Sequence, residues 1–193
     1  MYKNFYLHKI GKRAKIASRD LSNLSIKKRN AVLKQFCIYL KTYSKLILKE
    51  NKKDIVYAKK NKSNMLERLI LDNKKIIQII NSVKKIIKFK DPLNKTLESW
   101  KRPNGLMIKK VSIPIGVIGV IYESRPNVTS DVSTLCFKTG NPVILRGGSE
   151  AFYSNKIFSN LFRKALKKKK VNPNCVQFIK SKNRKNVDYL LSE

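Results

Sequence analysis

With 193 residues, 42 % of them hydrophobic, the chain has room for one domain with a buried core and is too apolar to be a disordered tail. It has neither the roughly 18 uninterrupted apolar residues of a membrane span nor a signal-like apolar stretch at its start, and its three cysteines (Cys37, Cys136, Cys175) lie outside any CxxC or Cys/His cluster. A cytoplasmic protein without disulfides, structural zinc or a membrane partner is therefore expected, although 44 basic against 12 acidic residues leave a net charge of +32 that could attract nucleic acid.

The first ninety residues read as helical. From Ser25 to Glu50, Val32, Phe36, Cys37, Leu40, Tyr43, Leu46 and Ile47 recur at three- and four-residue steps. Cys37 fits that stripe as a small core hydrophobe. Shorter helical pieces are expected over 51–71. A second helix follows over Asn73 to Lys88, with Ile76, Ile77, Ile80, Val83, Ile86 and Ile87 on one side, and Asp91-Pro92 ends it.

Beyond this point the pattern changes. Asn104-Gly105 marks a turn, and Leu106, Ile108 and Val111 begin an alternating strand. The β-branched and glycine run Ile115 to Ile121 predicts a strand buried on both faces. Asn127 to Thr139 predicts a helix with Val128, Val132, Leu135 and Cys136 facing the core, stopped by Gly140. Val143 to Leu145 is a short buried strand. A helix follows with Ile157, Phe158, Leu161, Phe162, Ala165 and Leu166 on one stripe and Lys167 to Lys170 at its end. Cys175 to Ile179 is a third strand, and Val187, Leu190 and Leu191 begin another helix. Strand, helix, strand, helix, strand with short connections means an α/β fold with a parallel, Rossmann-like sheet. The chain divides into a helical segment, 1–105, and a βαβ region, 106–193.

Ligands of open parallel sheets bind beyond the carboxyl ends of strands, which singles out two junctions. Tyr122-Glu123-Ser124-Arg125-Pro126-Asn127 gathers a carboxylate, a guanidinium and an amide where a strand hands over to a helix. Asn127 can cap that helix or donate its amide N–H to a developing oxyanion, and spacing alone slightly favours the cap. Arg146-Gly147-Gly148-Ser149-Glu150 follows the second strand. Its glycines allow close backbone approach to a phosphate or ribose, Arg146 can pair with phosphate, and Glu150 can accept from ribose hydroxyls. Neither GxGxxG nor a P-loop is present.

The run from Val111 to Ala151, with IGVIYESRPNVT and GNPVILRGGSEA within it, closely resembles the gamma-glutamyl phosphate reductases of proline biosynthesis, in the aldehyde dehydrogenase superfamily. Weaker resemblance covers the rest, including Met65 to Leu69 and Asp91 to Leu93. The resemblance implies an NADPH-dependent oxidoreductase that converts gamma-glutamyl phosphate to glutamate 5-semialdehyde as a homo-oligomer. It implies that Asn127 holds the oxyanion, that Ile121, Tyr122 and Glu123 line the nicotinamide side of the cleft, and that Arg125 meets substrate. Arg146, Gly147, Gly148, Ser149 and Glu150 match the segment that holds the adenosine ribose. In this family a cysteine thiolate attacks the acyl phosphate, and the resulting thioester is reduced by NADPH. None of Cys37, Cys136 and Cys175 occupies the nucleophile position, so the chain is expected to be a truncated part, with the catalytic domain absent and no activity alone.

The charge offers a second hypothesis, a basic nucleic-acid-binding protein. Only nine of the 44 basic residues are Arg, and the lysines are spread along the chain with no aromatic-interleaved stripe. Lys, Asn and Ile enrichment of the kind an A/T-rich coding sequence imposes accounts for the charge more simply, and no specific nucleic-acid partner is expected.

Overall fold

A computed structural model describes residues 5–181, 183 and 185–192. Five helices come first: α1 (Phe5–Ser22), α2 (Ile26–Thr42), α3 (Ser44–Lys60), α4 (Leu66–Leu69) and α5 (Asn73–Lys88). The periodic stretch expected as one helix from Ser25 to Glu50 is two, broken at Tyr43, where the backbone turns with φ −99° and ψ 19°. Side chains cap two of these starts. Ser25 Oγ accepts from the Lys28 N–H at 3.3 Å, and Asp72 Oδ1 accepts from the Lys75 N–H at 2.7 Å.

A hairpin follows, β1 (Thr96–Lys101) paired antiparallel with β2 (Met107–Val111) through the Asn104-Gly105 turn, where Gly105 takes φ +86°. Its first strand escapes sequence reading because Thr-Leu-Glu-Ser-Trp-Lys carries no apolar alternation and every residue of it is exposed. Then come β3 (Ile118–Tyr122), α6 (Pro126–Lys138), β4 (Val143–Gly147), α7 (Phe152–Lys168), β5 (Val176–Phe178) and α8 (Lys185–Ser192). The three strands form a parallel sheet in the order β3-β4-β5, with Ile118 opposite Val143 and Val143 opposite Val176.

The central strand is buried through its whole length. Val143 and Leu145 point into the larger core with Phe36 of α2, Val83 of α5, Phe137 of α6 and Phe162 of α7. Ile144 points the other way, onto Leu7, Ile10 and Ala14 of α1 and against Leu190 of α8. Each such side chain contributes about 1.5–3 kcal/mol, so β4 is where helices from both ends of the chain are joined.

Two expectations are corrected here. The Ile115–Ile121 run is not buried on both faces: β3 is an edge strand of this sheet, Ile115 is 87 % exposed and Ile121 is 43 % exposed. In α6 the predicted apolar face is only partly the core face: Val132 and Cys136 pack against the core from its margin, and the deeply buried side is a different one. Leu135 is 44 % exposed and Val128, Val132 and Cys136 are only half-buried, while Thr129, Ser130, Ser133, Thr134, Phe137 and Lys138 are buried. Small hydroxyl side chains let α6 lie close to its neighbours, and Thr134 returns its hydroxyl to the Ser130 carbonyl at 2.7 Å.

Buried polar groups lock the helices to one another. Asp54 of α3 accepts from the Tyr153 and Ser154 N–H groups at 3.0 and 2.7 Å, capping α7 from another helix. Asn51 donates to the Leu69 carbonyl at 2.8 Å and to Ser154 Oγ at 3.0 Å, and accepts from the Leu71 N–H at 2.9 Å. Arg29 is buried with its guanidinium on the Lys138 carbonyl and, at 2.7 Å, on Asp91 Oδ2. Lys138 is itself buried, and its Nζ donates to Asn30 Oδ1 at 2.8 Å and to the Ile87 carbonyl at 3.0 Å. Burial lowers its pKa, which Asp91 partly offsets and Arg29 reinforces.

Candidate functional site

Because β3 and β4 are parallel neighbours with Tyr122 opposite Gly147, their carboxyl ends lie side by side. The two junctions singled out in the sequence therefore meet. A Cβ placed on Gly148 would sit 2.2 Å from Ser124 Oγ and 3.0 Å from the Ser124 backbone N. A Cβ on Gly147 would sit 2.2 Å from Asn155 Nδ2 and 2.9 Å from the Tyr122 ring. The position a Cβ would take at each glycine is occupied by the chain's own Ser124, or by Tyr122 and Asn155. Gly148 has an ordinary backbone, φ −55° and ψ 149°, so contact and not a dihedral requires glycine there.

Behind them runs a chain of hydrogen bonds. Thr129 Oγ1 donates to Asn155 Oδ1 at 2.8 Å, which leaves the Tyr122 hydroxyl as donor in its 2.6 Å bond to Thr129. Burial pushes the Tyr122 pKa far above that of an ordinary phenol, so it stays protonated in that role.

At this strand end lies a cleft of about 440 Å³, lined among others by Lys62, Ser63, Ser124, Arg146, Gly148 and Glu150. That volume is in the range that holds a small-molecule ligand. Arg146 is buried in its wall and donates to the Gly147 carbonyl. Glu150 Oε1 accepts from Ser63 Oγ at 2.5 Å, and Ser63 Oγ accepts from the Met65 N–H at 3.1 Å. Ser149 begins a single 3₁₀ turn, Ser149–Ala151, that leads into α7. Sequence reasoning missed Lys62 and Ser63, more than eighty positions before Arg146. The only local signal is Lys62, whose φ of +48° places a non-glycine residue in the left-handed region.

The other proposed residues are distributed differently. Glu123 pairs with Arg68 at 3.1 Å, both exposed, a contact worth little in itself. Arg125 is exposed. Asn127 is not the cap that spacing favoured: Arg125 is the cap residue, it makes no side-chain cap bond, and Pro126 fills the first turn. Asn127 Nδ2 instead donates to Asp131 Oδ2 at 3.2 Å. Both line a second cleft of about 320 Å³ with Arg68, Lys75 and Gln78, which shares no lining residue with the first. Burial raises the Asp131 pKa, and the bond from Asn127 opposes this.

None of the three cysteines is poised as a nucleophile. Burial pushes the half-buried Cys136 up to about 11. Cys175 is buried and pushed up to about 12, by burial first and by the Asp20 charge second, and burial also raises Cys37. An attacking thiol needs the opposite shift. Among the described residues there is no cluster of three or more metal-ligating side chains, and no helix is long and apolar enough to cross a membrane.

No protein-family model matches the chain. A gamma-glutamyl phosphate reductase from Carboxydothermus hydrogenoformans is 42 % identical over 184 residues, which is 94 % of this chain and 44 % of that protein. The solved gamma-glutamyl phosphate reductase of Thermotoga maritima superposes with a TM-score of 0.94 at 36 % identity, over 96 % of this chain and 45 % of that one. A probable aldehyde dehydrogenase from Listeria monocytogenes, 14 % identical, shares the fold with a TM-score of 0.71 over 97 % of this chain and 39 % of its own. The chain spans less than half the length of the curated relatives it matches. In sequence and in fold the chain is similar to the N-terminal part of the gamma-glutamyl phosphate reductases, and its fold is that of the aldehyde dehydrogenases.

Proposed function

We propose that the chain is the cofactor-holding part of a cytoplasmic, NADPH-dependent gamma-glutamyl phosphate reductase, which forms glutamate 5-semialdehyde in proline biosynthesis. The observation that carries this is the strand-end cleft, where Gly148 packs on Ser124 and Arg146 and Glu150 line the same wall. Its residues fit the adenosine end of a dinucleotide: a buried guanidinium and Lys62 for phosphate, and a carboxylate for ribose hydroxyls. When bound, the nicotinamide supplies hydride.

In this reading Arg146, Gly147, Gly148, Ser149 and Glu150 hold the adenosine ribose, and Ile121, Tyr122 and Glu123 border the nicotinamide. Asn127 and Arg125 serve the reacting end, Asn127 by donating its amide N–H to an oxyanion and Arg125 by meeting substrate. The intact enzyme is a homo-oligomer, with 1–105 as the helical segment and 106–193 as the βαβ region of one cofactor-binding unit. The nucleophilic thiol is none of Cys37, Cys136 and Cys175, so these 193 residues alone do not turn over substrate. Calorimetric titration of the chain with NADPH tests this. One saturable site is expected, weakened about tenfold or more by Glu150→Gln, the value of a charged hydrogen bond. Unchanged affinity in that variant, or phosphate-dependent NADP reduction by the chain, would contradict it.

A further inference from the structure

A third cavity lies away from both clefts, between α1 and α7 beside the outer edge of β5. It measures about 160 Å³, the share of about five liquid water molecules, too small for a nucleotide and sufficient for a small ion. Three cations line it: Arg13 from α1, Arg163 from α7 and Lys180 after β5; no carboxylate does. Arg163 Nη1 is anchored on the Pro173 and Val176 carbonyls at 2.6 and 2.8 Å, which fixes the guanidinium plane, and its Nη2 reaches Asn174 Oδ1 only at 3.5 Å. Burial and then the nearby Arg13 charge lower the Arg163 pKa, opposed by Cys175, as expected for a partly buried cation beside a like charge.

Two hydroxyls complete the wall. Ser159 is 1 % exposed and its Oγ has no hydrogen-bond partner among the described residues, an arrangement that costs about 1–3 kcal/mol unless something satisfies it. Tyr6 accepts from the Lys180 N–H at 3.1 Å and retains its own proton to donate. Arg163 is half-buried and Ser159 buried at the cavity wall, while Arg13, Lys180 and Tyr6 stand exposed around it. Several donors on one cavity with no carboxylate in its lining suit an anion.

We propose that this cavity binds a small tetrahedral oxyanion of the inorganic phosphate class, held by Arg13, Arg163 and Lys180 with the Ser159 hydroxyl donating from the wall. The site is separate from the strand-end cleft and would tie α1 to α7 and β5. The test is calorimetric titration of the 193-residue chain with inorganic phosphate, ionic strength held constant with sodium chloride. Saturable binding is expected, weakened at least tenfold by Arg13→Gln and three- to tenfold by Ser159→Ala, with Lys109→Gln/Lys110→Gln on the hairpin unchanged. Arg13 is exposed, so its variant keeps the fold, which circular dichroism checks. Non-saturating heat, or an affinity that Arg13→Gln leaves unchanged, would overturn the proposal by showing only general attraction to a chain of charge +32.

Discussion

Gly148→Ala is the sharpest probe of the contact that joins the two junctions. The new methyl carbon would lie 2.2 Å from Ser124 Oγ and 3.0 Å from the Ser124 backbone N, where ordinary contacts with a carbon need about 3.3 Å or more. The hydroxyl can rotate away, but the backbone nitrogen cannot, so the 122–125 segment must move from the 147–149 segment. Overpacking of this kind costs about 1–3 kcal/mol. Against it stands a gain of about 0.4–1 kcal/mol, because alanine restricts the unfolded chain more than glycine does. Gly148 has a backbone alanine adopts without strain, so no dihedral penalty enters. The sign therefore decides: net destabilisation of about 1–2 kcal/mol is expected. Urea unfolding of the wild type, Gly148→Ala, Ser124→Ala and the double variant reads it out. Ser124→Ala should restore part of the loss, since it removes Oγ and leaves the nitrogen. A Gly148→Ala protein as stable as wild type, or more so, would refute the close packing of the junctions.

Asp54→Ala should cost about 2–4 kcal/mol in the same assay, since two buried backbone N–H groups at the start of α7 lose a charged acceptor; a loss under 0.5 kcal/mol would contradict that. Cys136, with its pKa near 11 against an ordinary 9.0, should hold about a hundredfold less thiolate at pH 7.5 than an unperturbed thiol. Its reaction with a disulfide reagent should be correspondingly slow and rise tenfold per pH unit, and a rapid reaction at neutral pH would show that burial has been misjudged. The folded pKa of Lys138 lies below the ordinary lysine value of 10.5, so the unfolded state binds the proton more tightly between the two values. Stability should therefore rise with pH across that window and level off above it, and Lys138→Met should flatten this part of the profile. Identical slopes in wild type and variant would contradict the assignment.

The sheet was legible in the sequence because β4 lies under helices on both faces, and only a continuous run such as Val143-Ile144-Leu145 survives there. The stripe of α7 was legible from its helical spacing, whereas in α5 the buried face is Ile76, Ile79, Val83 and Ile86, and Ile77, read as part of it, is exposed. Misreadings fall where packing uses other chemistry. In α6 most of the buried face is threonine and serine beside Phe137, while Leu135 faces outward and Val132 and Cys136 sit at the margin, so a hydrophobic count rotates the helix off its buried side. At β3 the residues are those of a buried strand, but the strand lies at an edge of this sheet. At the candidate site, the strand-end location and the 146–150 segment could be read from βαβ order alone. Lys62 and Ser63 could not, because their place beside Glu150 depends on how α3 and α4 are anchored by Asn51 and Asp54. Gly147 and Gly148 answer to a second demand that the sequence does not show: the Cβ each lacks would meet Asn155 and Tyr122, or Ser124.

The cofactor assignment rests on Arg146 more than on any other residue. Calorimetry of the 193-residue chain with NADPH and with NADH, for wild type and Arg146→Met, tests it most directly. Saturable binding of NADPH tighter than NADH is expected, with at least a tenfold loss for NADPH in the variant and a smaller loss for NADH. Equal affinity of wild type and Arg146→Met for NADPH, with both proteins folded by circular dichroism, would contradict a cofactor held at the strand-end cleft.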